Sequence, residues 1–317
     1  MYLGPLYRLM MPLAARKLNL HTAKDPRQRE ATYVQRIAEQ VAASELDRAV
    51  VLAFDRVYAP DGEPMDAHTR YYVPNGYVAS AVRTHPDQLL FGASVHPFRK
   101  DALEALTRVK ARGAVLVKLL PNSHAFDPAD DRLGPYYRAL AELRLPLLLH
   151  GGYEHTIKVQ QQQFGNPERF RPALDAGVTL IVAHAGSAGR FHCRETFGAF
   201  LKLLETYPNC YGDTSALANY WRSQYISKLQ NPDLLERRYG VRLENPFDRL
   251  VHGSDFPIPV SPWAFGPSRA GQLKKLPEAA GNPLQKDICL KRLAGIPDSC
   301  LTRAFTDIGI GTSPAEG

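Results

Sequence analysis

Three short apolar runs, each ending in a polar residue, decide the fold: LPLLLHGG at 145–152, TLIVAHAGS at 179–187 and DRLVHGSDFP at 248–257. A run of this length, bounded by glycine or proline, is typical of a strand buried on both faces of a parallel sheet. Its last residue emerges at the carboxyl end of the sheet, where barrels place functional side chains. The sequence therefore predicts that His150, His184 and Asp255 lie at one mouth of a barrel.

The rest of the chain alternates helix-like and strand-like segments. Further strands are predicted in AVVLAF at 49–54, LLFGASVHP at 89–97, AVLVKLLP at 114–121 and NCYGDTSA at 209–216. Helical spacing of apolar residues falls between them, at 33–46, 73–85, 101–112, 135–143, 167–176 and 196–206. The interval of roughly thirty to forty residues from strand to strand is the length of a barrel repeat.

These seven strands predict an α/β fold, a (β/α)8 TIM-barrel-like barrel that is incomplete because the first strand is missing. The chain opens on a helical segment where a barrel normally begins with a strand. We expect a single domain over 1–317, in which 1–48 is a helical N-terminal segment and 49–257 forms the barrel. Residues 258–305 are predicted to be a C-terminal helical extension and 306–317 a disordered tail.

Composition narrows the class of protein. The 317 residues are 44% hydrophobic and 22% charged, which suits one large globular domain. The net charge of +7 is spread through segments such as 36–48 that also contain acids, so we expect no nucleic-acid partner. The four cysteines show no Cys-x-x-Cys spacing and are predicted to be reduced thiols.

The N-terminal segment is apolar only in patches. Arg8, Pro12, Arg16 and Lys17 interrupt it before a signal-peptide core or a membrane span could form. We therefore expect no membrane association, a cytoplasmic location, and an N-terminal helix that packs on the body of the protein.

The three strand-end residues are candidates for a metal centre. His150 is followed by two glycines that allow close approach, so it is either a metal ligand or a histidine hydrogen-bonded at a strand end. His184 repeats this arrangement one unit later and could bind metal or transfer a proton. Asp255 could hold an ion and accept a proton from water, or it could cap the following turn.

Lys118 needs an explanation because it lies inside an apolar strand. It could be carbamylated into a metal bridge, pair with a substrate carboxylate, or extend its amine to the rim, and we favour the second and third roles. Other polar residues that follow predicted strands are candidates for a substrate pocket or ordinary loop residues: His96, Arg99, Asn122, Glu154, His155 and Asp213.

At these residues the chain resembles the amidohydrolase superfamily, in the branch that includes aminocarboxymuconate-semialdehyde decarboxylase. The resemblance runs from about 49 to 257 and rests on VKLLPN, LLLHGG, IVAHAGS, GDTSA and HGSDFP in the expected order. It implies that His150 is the metal ligand of the fifth strand and Asp255 the ligand and base of the eighth. His184 would be the sixth-strand histidine that polarises the substrate or assists proton transfer.

The resemblance also implies a His-x-His pair at the end of the first strand, and this sequence has no His-x-His. His21 is the only histidine before His68, and its context, LNLHTAKDP, is a poor one for a strand. Because catalytic zinc normally keeps three protein ligands, His150 and Asp255 alone would hold it weakly. The chain is then either one that begins upstream of Met1 or a degenerate member, and we favour the first because only one contiguous piece is missing.

We therefore expect a metal-dependent hydrolase of a small-molecule amide, ester or lactone, with zinc as the divalent ion and manganese as an alternative. Lys118, His96, Arg99, Asn122 and Glu154 would contact the substrate. One alternative is non-oxidative decarboxylation of a small carboxylic acid, with Lys118 or Arg99 gripping a carboxylate. Another is a non-catalytic barrel that binds a small molecule, and a homodimer is expected from the resemblance alone.

Overall fold

A computed structural model of the chain describes residues 25–276 and 281–311. Its main feature is a curled sheet of seven parallel strands that follow one another in chain order. The strands are β1 (Ala49–Leu52), β2 (Leu89–Ala93), β3 (Ala114–Leu119), β4 (Leu147–His150), β5 (Leu180–Ala183), β8 (Cys210–Asp213) and β9 (Leu250–Val251). A two-stranded hairpin, β6 (Arg190–Phe191) and β7 (Arg194–Glu195), lies outside this sheet.

Helices alternate with the strands and follow them to the C-terminus. They are α1 (Pro26–Ala42), α2 (Asn75–Thr84), α3 (Ala102–Ala111), α4 (Pro121–His124), α5 (Gly134–Glu142), α6 (Arg171–Asp175), α7 (Thr196–Thr206), α8 (Gln224–Leu229), α9 (Pro232–Tyr239), α10 (Gly266–Leu273), α11 (Pro283–Leu293) and α12 (Ser299–Thr306). No helix in the described ranges is both long and apolar enough to cross a membrane.

The sheet forms part of a TIM-barrel-like α/β fold, as the sequence predicts. Within the described ranges it ends at β1 on one side and at β9 on the other, and no further strand connects these two edges. The side chain of Leu52 on the edge strand β1 is 40% exposed, which is unusual for a leucine in a strand. Among the described residues, the curled sheet is therefore open along one side.

The two faces of the sheet have different roles. Val117 and Leu119 of β3 belong to the large outer core between the sheet and the helices, whereas Leu116 belongs to a smaller cluster on the inner face. Side chains alternate along a strand, so Lys118 shares the inner face with Leu116. Lys118 is in register with Leu148, two residues before His150, which places the lysine deeper in the open barrel.

The C-terminal residues differ from the expectation of a tail that is disordered from 306. Residue 306 ends α12, and Ile310 is buried in the inner cluster with Leu116 and Leu148. The prediction is wrong for residues 306–311, because two isoleucines in an otherwise polar stretch provide apolar surface that fills the inner face. Residues 312–317 and the expected N-terminal helix before residue 25 lie outside the described residues.

Candidate active site

His150 is the last residue of β4, and the loop that follows it packs tightly on the loop after β5. Gly152 has a φ of +96°, and a Cβ atom there would overlap the carbonyl oxygen of Ser187. The same loop is joined to the β5 loop by a hydrogen bond from the Tyr153 N–H to the Ala188 carbonyl, at 3.4 Å. The glycines predicted to open space beside His150 therefore bring two loops together around it.

The His150 ring is buried and has one unused nitrogen. Its Nδ1 lies 3.6 Å from Oε2 of Glu154, a carboxylate that can only accept a hydrogen bond. Its Nε2 is buried and has no hydrogen-bond partner. Desolvation by burial lowers the pKa of His150 to about 4, so the ring is neutral. The proton therefore belongs on Nδ1, and Nε2 presents a lone pair, which is what a cation would need.

His184 lies beside His150 and presents its own Nε2. The two ring centroids are 5.0 Å apart. Nδ1 of His184 is 3.2 Å from the Ser215 carbonyl oxygen and 2.7 Å from Ser215 Oγ, and that hydroxyl also donates to Asp213. A carbonyl accepts only, and the single hydroxyl proton goes to the carboxylate, so Nδ1 of His184 must be the donor. Burial holds the pKa of His184 well below its usual value.

Asp213 fixes the backbone at the end of β5. Its Oδ1 accepts hydrogen bonds from the N–H groups of His184, at 2.8 Å, and Ser215, at 2.9 Å. His184 and Ala185 have φ values of 59° and 50°, in the left-handed region that residues other than glycine rarely adopt. Strained backbone of this kind is concentrated at functional sites, where surrounding contacts maintain it.

Asp255 follows β9 and also has a left-handed φ, of 57°. Solvent reaches its side chain. Desolvation by the surrounding loops, followed by repulsion from Glu154, raises its pKa to about 7, while Lys118 and Arg222 act in the opposite direction. Asp255 can therefore exchange protons with water near neutral pH.

Glu154 and Asn122 support the loop after β4. Oε1 of Glu154 accepts from the N–H of Ile157 at 3.0 Å and from the N–H and hydroxyl of Thr156. These hydrogen bonds act against burial and lower the pKa of Glu154, so it is a carboxylate. Nδ2 of Asn122 donates to Gln162 Oε1 at 3.2 Å, whereas its Oδ1 is buried without a partner. Asn122 Oδ1 is therefore an acceptor that a ligand or water could use.

Lys118 and Arg222 are two buried cations at this mouth. Lys118 is 8% exposed, and burial lowers its pKa, while Asp213 and Asp255 raise it. Arg222 lies on the loop after β8, is 9% exposed, and donates to Ser187. Neither cation has a carboxylate within ion-pair distance among the described residues. Both are therefore available to an anionic ligand.

His96 and Arg99 lie in a different group, next to Asp55. The backbone N–H of Phe98 donates to Nδ1 of His96, and Nε2 of His96 donates to the carbonyl of His124. Both ring nitrogens are thus used by the main chain, and burial lowers the pKa of His96 to about 4. Arg99 is paired with Asp101 at 2.9 Å and with Asp55 at 3.3 Å. Every nitrogen of these two side chains thus already has a hydrogen-bond partner within the protein.

The donor set fits a divalent ion only in part. The neutral imidazoles of His150 and His184 present Nε2 lone pairs, and the Asp255 carboxyl is open to solvent, which is the mixed nitrogen and oxygen chemistry that zinc accepts. In the described part of the chain, however, no three His, Cys, Asp or Glu side chains are close enough to hold an ion. The unpartnered Nε2 of His150 is the atom that fits best, and a complete site needs further ligands.

Sequence reasoning missed two residues that shape this site, Arg222 and Ser215. Ser215 fixes the tautomer of His184 although it is an ordinary serine after a strand. Arg222 lies in NYWRSQ, seven residues beyond Ser215, where no strand end marks it. Only the folded loop brings its guanidinium to Ser187, so no pattern in the sequence could have indicated it.

Comparison with known proteins agrees with this architecture. Solved structures similar to the chain include an uncharacterised TIM-barrel protein of Bordetella bronchiseptica, with 16% identity, 92% of this chain and 94% of that chain covered, and a TM-score of 0.54. A probable 2-pyrone-4,6-dicarboxylic acid hydrolase of Acinetobacter baumannii is 16% identical, with 83% and 88% covered and a TM-score of 0.48.

A third similar structure is a 5-carboxyvanillate decarboxylase of Novosphingobium aromaticivorans with bound manganese, at 13% identity, 95% and 94% coverage and a TM-score of 0.48. Comparison with curated protein sequences found no match. The family model described as amidohydrolase matches residues 32–282, which include every strand of the sheet and the whole candidate site. The chain therefore belongs to the amidohydrolase family.

Proposed function

We propose that this protein is a metal-dependent hydrolase that acts on a small-molecule amide, ester or lactone. The observation that supports it is the buried, unpartnered Nε2 of His150, whose ring is oriented by Glu154 and lies 5.0 Å from that of His184. A histidine that directs one nitrogen at a carboxylate and leaves the other free has the arrangement of a metal ligand. Zinc is the expected ion and manganese the alternative.

His150 and Asp255 would hold the ion, together with ligands that the described residues do not supply. A bound divalent ion supplies a Lewis acid that makes water more acidic near neutral pH. Asp255 is the base in this proposal, because its carboxyl is open to solvent and its pKa is raised to about 7. It would accept the proton of the attacking water.

His184 has a more restricted role than the sequence indicates. As a neutral ring protonated on Nδ1, it presents an acceptor at Nε2 and cannot donate a hydrogen bond to a developing oxyanion from that atom. We therefore assign it to ion binding or to accepting a proton. Ser215 and Asp213 keep it in this tautomer.

Non-oxidative decarboxylation of a small carboxylic acid is the second candidate. The observation that favours it is the pair of buried cations without an ion-pair partner, Lys118 and Arg222, which suit an acidic substrate. Arg99 no longer belongs in this role because Asp55 and Asp101 already neutralise it. The two reactions would give different products: decarboxylation releases carbon dioxide, whereas hydrolysis gives a carboxylic acid together with an amine or an alcohol.

The proposal is tested by metal binding and by activity. Protein treated with a chelator and then dialysed is titrated calorimetrically with zinc and with manganese, as wild type, His150→Ala and His85→Ala. His85 is a half-buried histidine that caps the C-terminus of α2 and provides the matched control. We expect His150→Ala to weaken binding by at least about tenfold, which is the lower end of what disturbing a ligand environment costs, and His85→Ala to leave it unchanged.

Activity is then measured on esters, lactones and small carboxylic acids, with detection of released acid and of carbon dioxide. Metal-stimulated release of acid supports hydrolysis, and carbon dioxide supports the second candidate. Equal metal binding by wild type and His150→Ala would contradict the ligand assignment. Absence of both metal binding and turnover would leave the non-catalytic barrel as the correct interpretation.

A further inference from the structure

Arg222 is held in the barrel mouth by one side of its guanidinium. Its Nη1 donates to the carbonyl oxygen of Ser187 at 2.8 Å and to Ser187 Oγ at 2.7 Å. Nη1 carries two hydrogens, so these two bonds use it completely. The guanidinium is a rigid plane, and fixing one nitrogen therefore limits where the rest of the group can point.

The opposite edge of the guanidinium is free. Nε and Nη2 of Arg222 have no hydrogen-bond partner among the described residues, and neither is sealed from solvent. Nε–H and Nη2–H together form the fork that matches the two oxygens of a carboxylate. The side chain is thus oriented before any ligand arrives, and the two nitrogens of this edge are not sealed from solvent.

The charges around Arg222 leave it without a close counterion. Asp255, Glu154 and Asp213 act on it through space, and no carboxylate in the described ranges lies within 4.0 Å of it. Glu154 is engaged by Thr156 and Asp213 by Ser215. A buried cation is costly unless an anion with good geometry offsets its desolvation. The protein retains this cation without supplying the anion.

The position of Arg222 relative to His184 is fixed by the backbone. The N–H of Ser187, the residue that holds Arg222, donates to the carbonyl of His184 at 3.0 Å in the turn after β5. Arg222 and Lys118 both act electrostatically on His150 and His184, which places both cations around the same two rings. An anion on the free edge of Arg222 would lie next to the proposed catalytic groups.

From this geometry we propose that Arg222 is a specificity-determining residue, which binds a carboxylate of the substrate through Nε and Nη2, with Lys118 deeper in the cavity. The substrate is accordingly a small organic acid, and not a neutral amide, ester or lactone. This inference rests on the proposed function for the location of the reacting group, and it holds for either of the two reactions. The carboxylate would be positioned against His184 through Ser187.

The test compares carboxylates with their uncharged amides as ligands of chelator-treated protein. Acetate and acetamide, benzoate and benzamide, and succinate and succinamide are titrated by ligand-observed NMR. We expect at least one acid to bind about tenfold or more tightly than its amide, the ratio that a charge-assisted bidentate bond supports. If no acid is preferred over its amide, the inference is overturned.

Variants then show which side chain causes the preference for acids over amides. Arg222→Gln should abolish it, and Arg222→Lys, which keeps the charge and loses the fork, should retain only part of it. Arg238→Gln is the matched control: Arg238 lines a separate cleft of about 470 Å³ with Arg190 and Lys228. We expect no effect from it. If Arg238→Gln removes the preference while Arg222→Gln keeps it, the acid binds in that cleft and the inference fails.

Two further measurements keep the outcomes distinct. Circular dichroism shows whether Arg222→Gln is folded. If it is not, the acid preference of Arg222→Lys is compared with that of the wild type, and this comparison decides whether Arg222 binds the carboxylate. Zinc titration of Arg222→Lys reports on the proposed metal site separately. Loss of acid preference with zinc binding intact supports the inference, whereas wild-type protein that prefers acids but binds no metal would refute the proposed function alone.

Discussion

The protonation of single side chains determines what this site can do. His150 and His184 are both neutral rings with the proton on Nδ1, because Glu154 faces this nitrogen of His150 and Ser215 faces that of His184. Each consequently presents an electron pair at Nε2, within a mouth that also contains Asp255. Two lone pairs on adjacent rings favour a shared cation over an oxyanion, which would need donors.

Asp255→Asn tests the proposed base. The substitution should reduce the rate by about 10²- to 10⁴-fold, the usual contribution of a general base. Stability should not fall, because asparagine removes a carboxylate whose ionised form burial disfavours and tolerates the left-handed φ of 57°. The pKa of Asp255 is raised to about 7, so wild-type activity should fall as the pH drops below this value and the carboxylate is protonated.

The measurement is kcat/KM against pH for both proteins, with urea unfolding as the control for stability. An Asp255→Asn protein that keeps wild-type activity and the wild-type pH profile would remove Asp255 from the mechanism.

For single residues, the sequence predicts which side chains lie at strand ends. It does not predict which side chains a folded loop brings to the site. The positions of His150, His184 and Asp255 at or after the ends of β4, β5 and β9 were predictable because each comes at the end of an apolar run, and their roles stay predictions. Arg222 could not be identified, since its position depends on the path of a ten-residue loop. His96 also follows a strand, but both of its ring nitrogens are hydrogen-bonded to backbone groups. A position after a strand therefore does not by itself indicate a site residue.

Among the elements, the loops after β4 and β5 act as one unit. Gly152 and Ser187 are in such close contact that no side chain fits between them, and Ser187 in turn holds Arg222. The apolar strands themselves were predictable from their runs of leucine, isoleucine and valine. The contact between their loops was not, since it depends on a φ of +96° at Gly152.

Gly152→Ala tests this loop contact. The new methyl group would meet the Ser187 carbonyl oxygen in a backbone conformation that alanine disfavours, so we expect a loss of stability beyond the ~1–3 kcal/mol of strained backbone alone. Gly177→Ala is the matched control, since its φ is +82° and nothing lies within 4 Å of an added Cβ. Urea unfolding of both variants measures the difference. Equal losses would show that the two loops are not in close contact.

Across the whole molecule, buried neutral histidines make the fold sensitive to acid. Burial lowers the pKa of five of them, to about 4 for His96 and His150 and well below the usual value for His124, His184 and His252. In the unfolded chain a histidine takes up a proton near pH 6.5. Between pH 6.5 and about 4 the unfolded chain therefore binds more protons at these sites, and stability falls as the pH falls.

Each such histidine contributes up to ~1.4 kcal/mol for each pH unit in this range. Three carboxyls with raised pKa act in the opposite direction: Asp55, Asp255 and Asp287. Five groups outnumber three, so we expect the free energy of unfolding of the metal-free protein to decrease steadily from pH 6.5 to 4.5 in urea titrations. A constant or increasing value over this range would show that several of these rings are protonated in the folded state.

The central claim is that the free nitrogen of His150 faces a metal site in the mouth of the open barrel. Anomalous X-ray diffraction from crystals of the protein equilibrated with zinc tests it most directly. We predict a zinc peak at about 2.1 Å from His150 Nε2, the normal zinc–imidazole distance. The Asp255 carboxylate should also contact the ion. A map with no peak in the mouth, or with zinc bound only at surface histidines, would contradict the account.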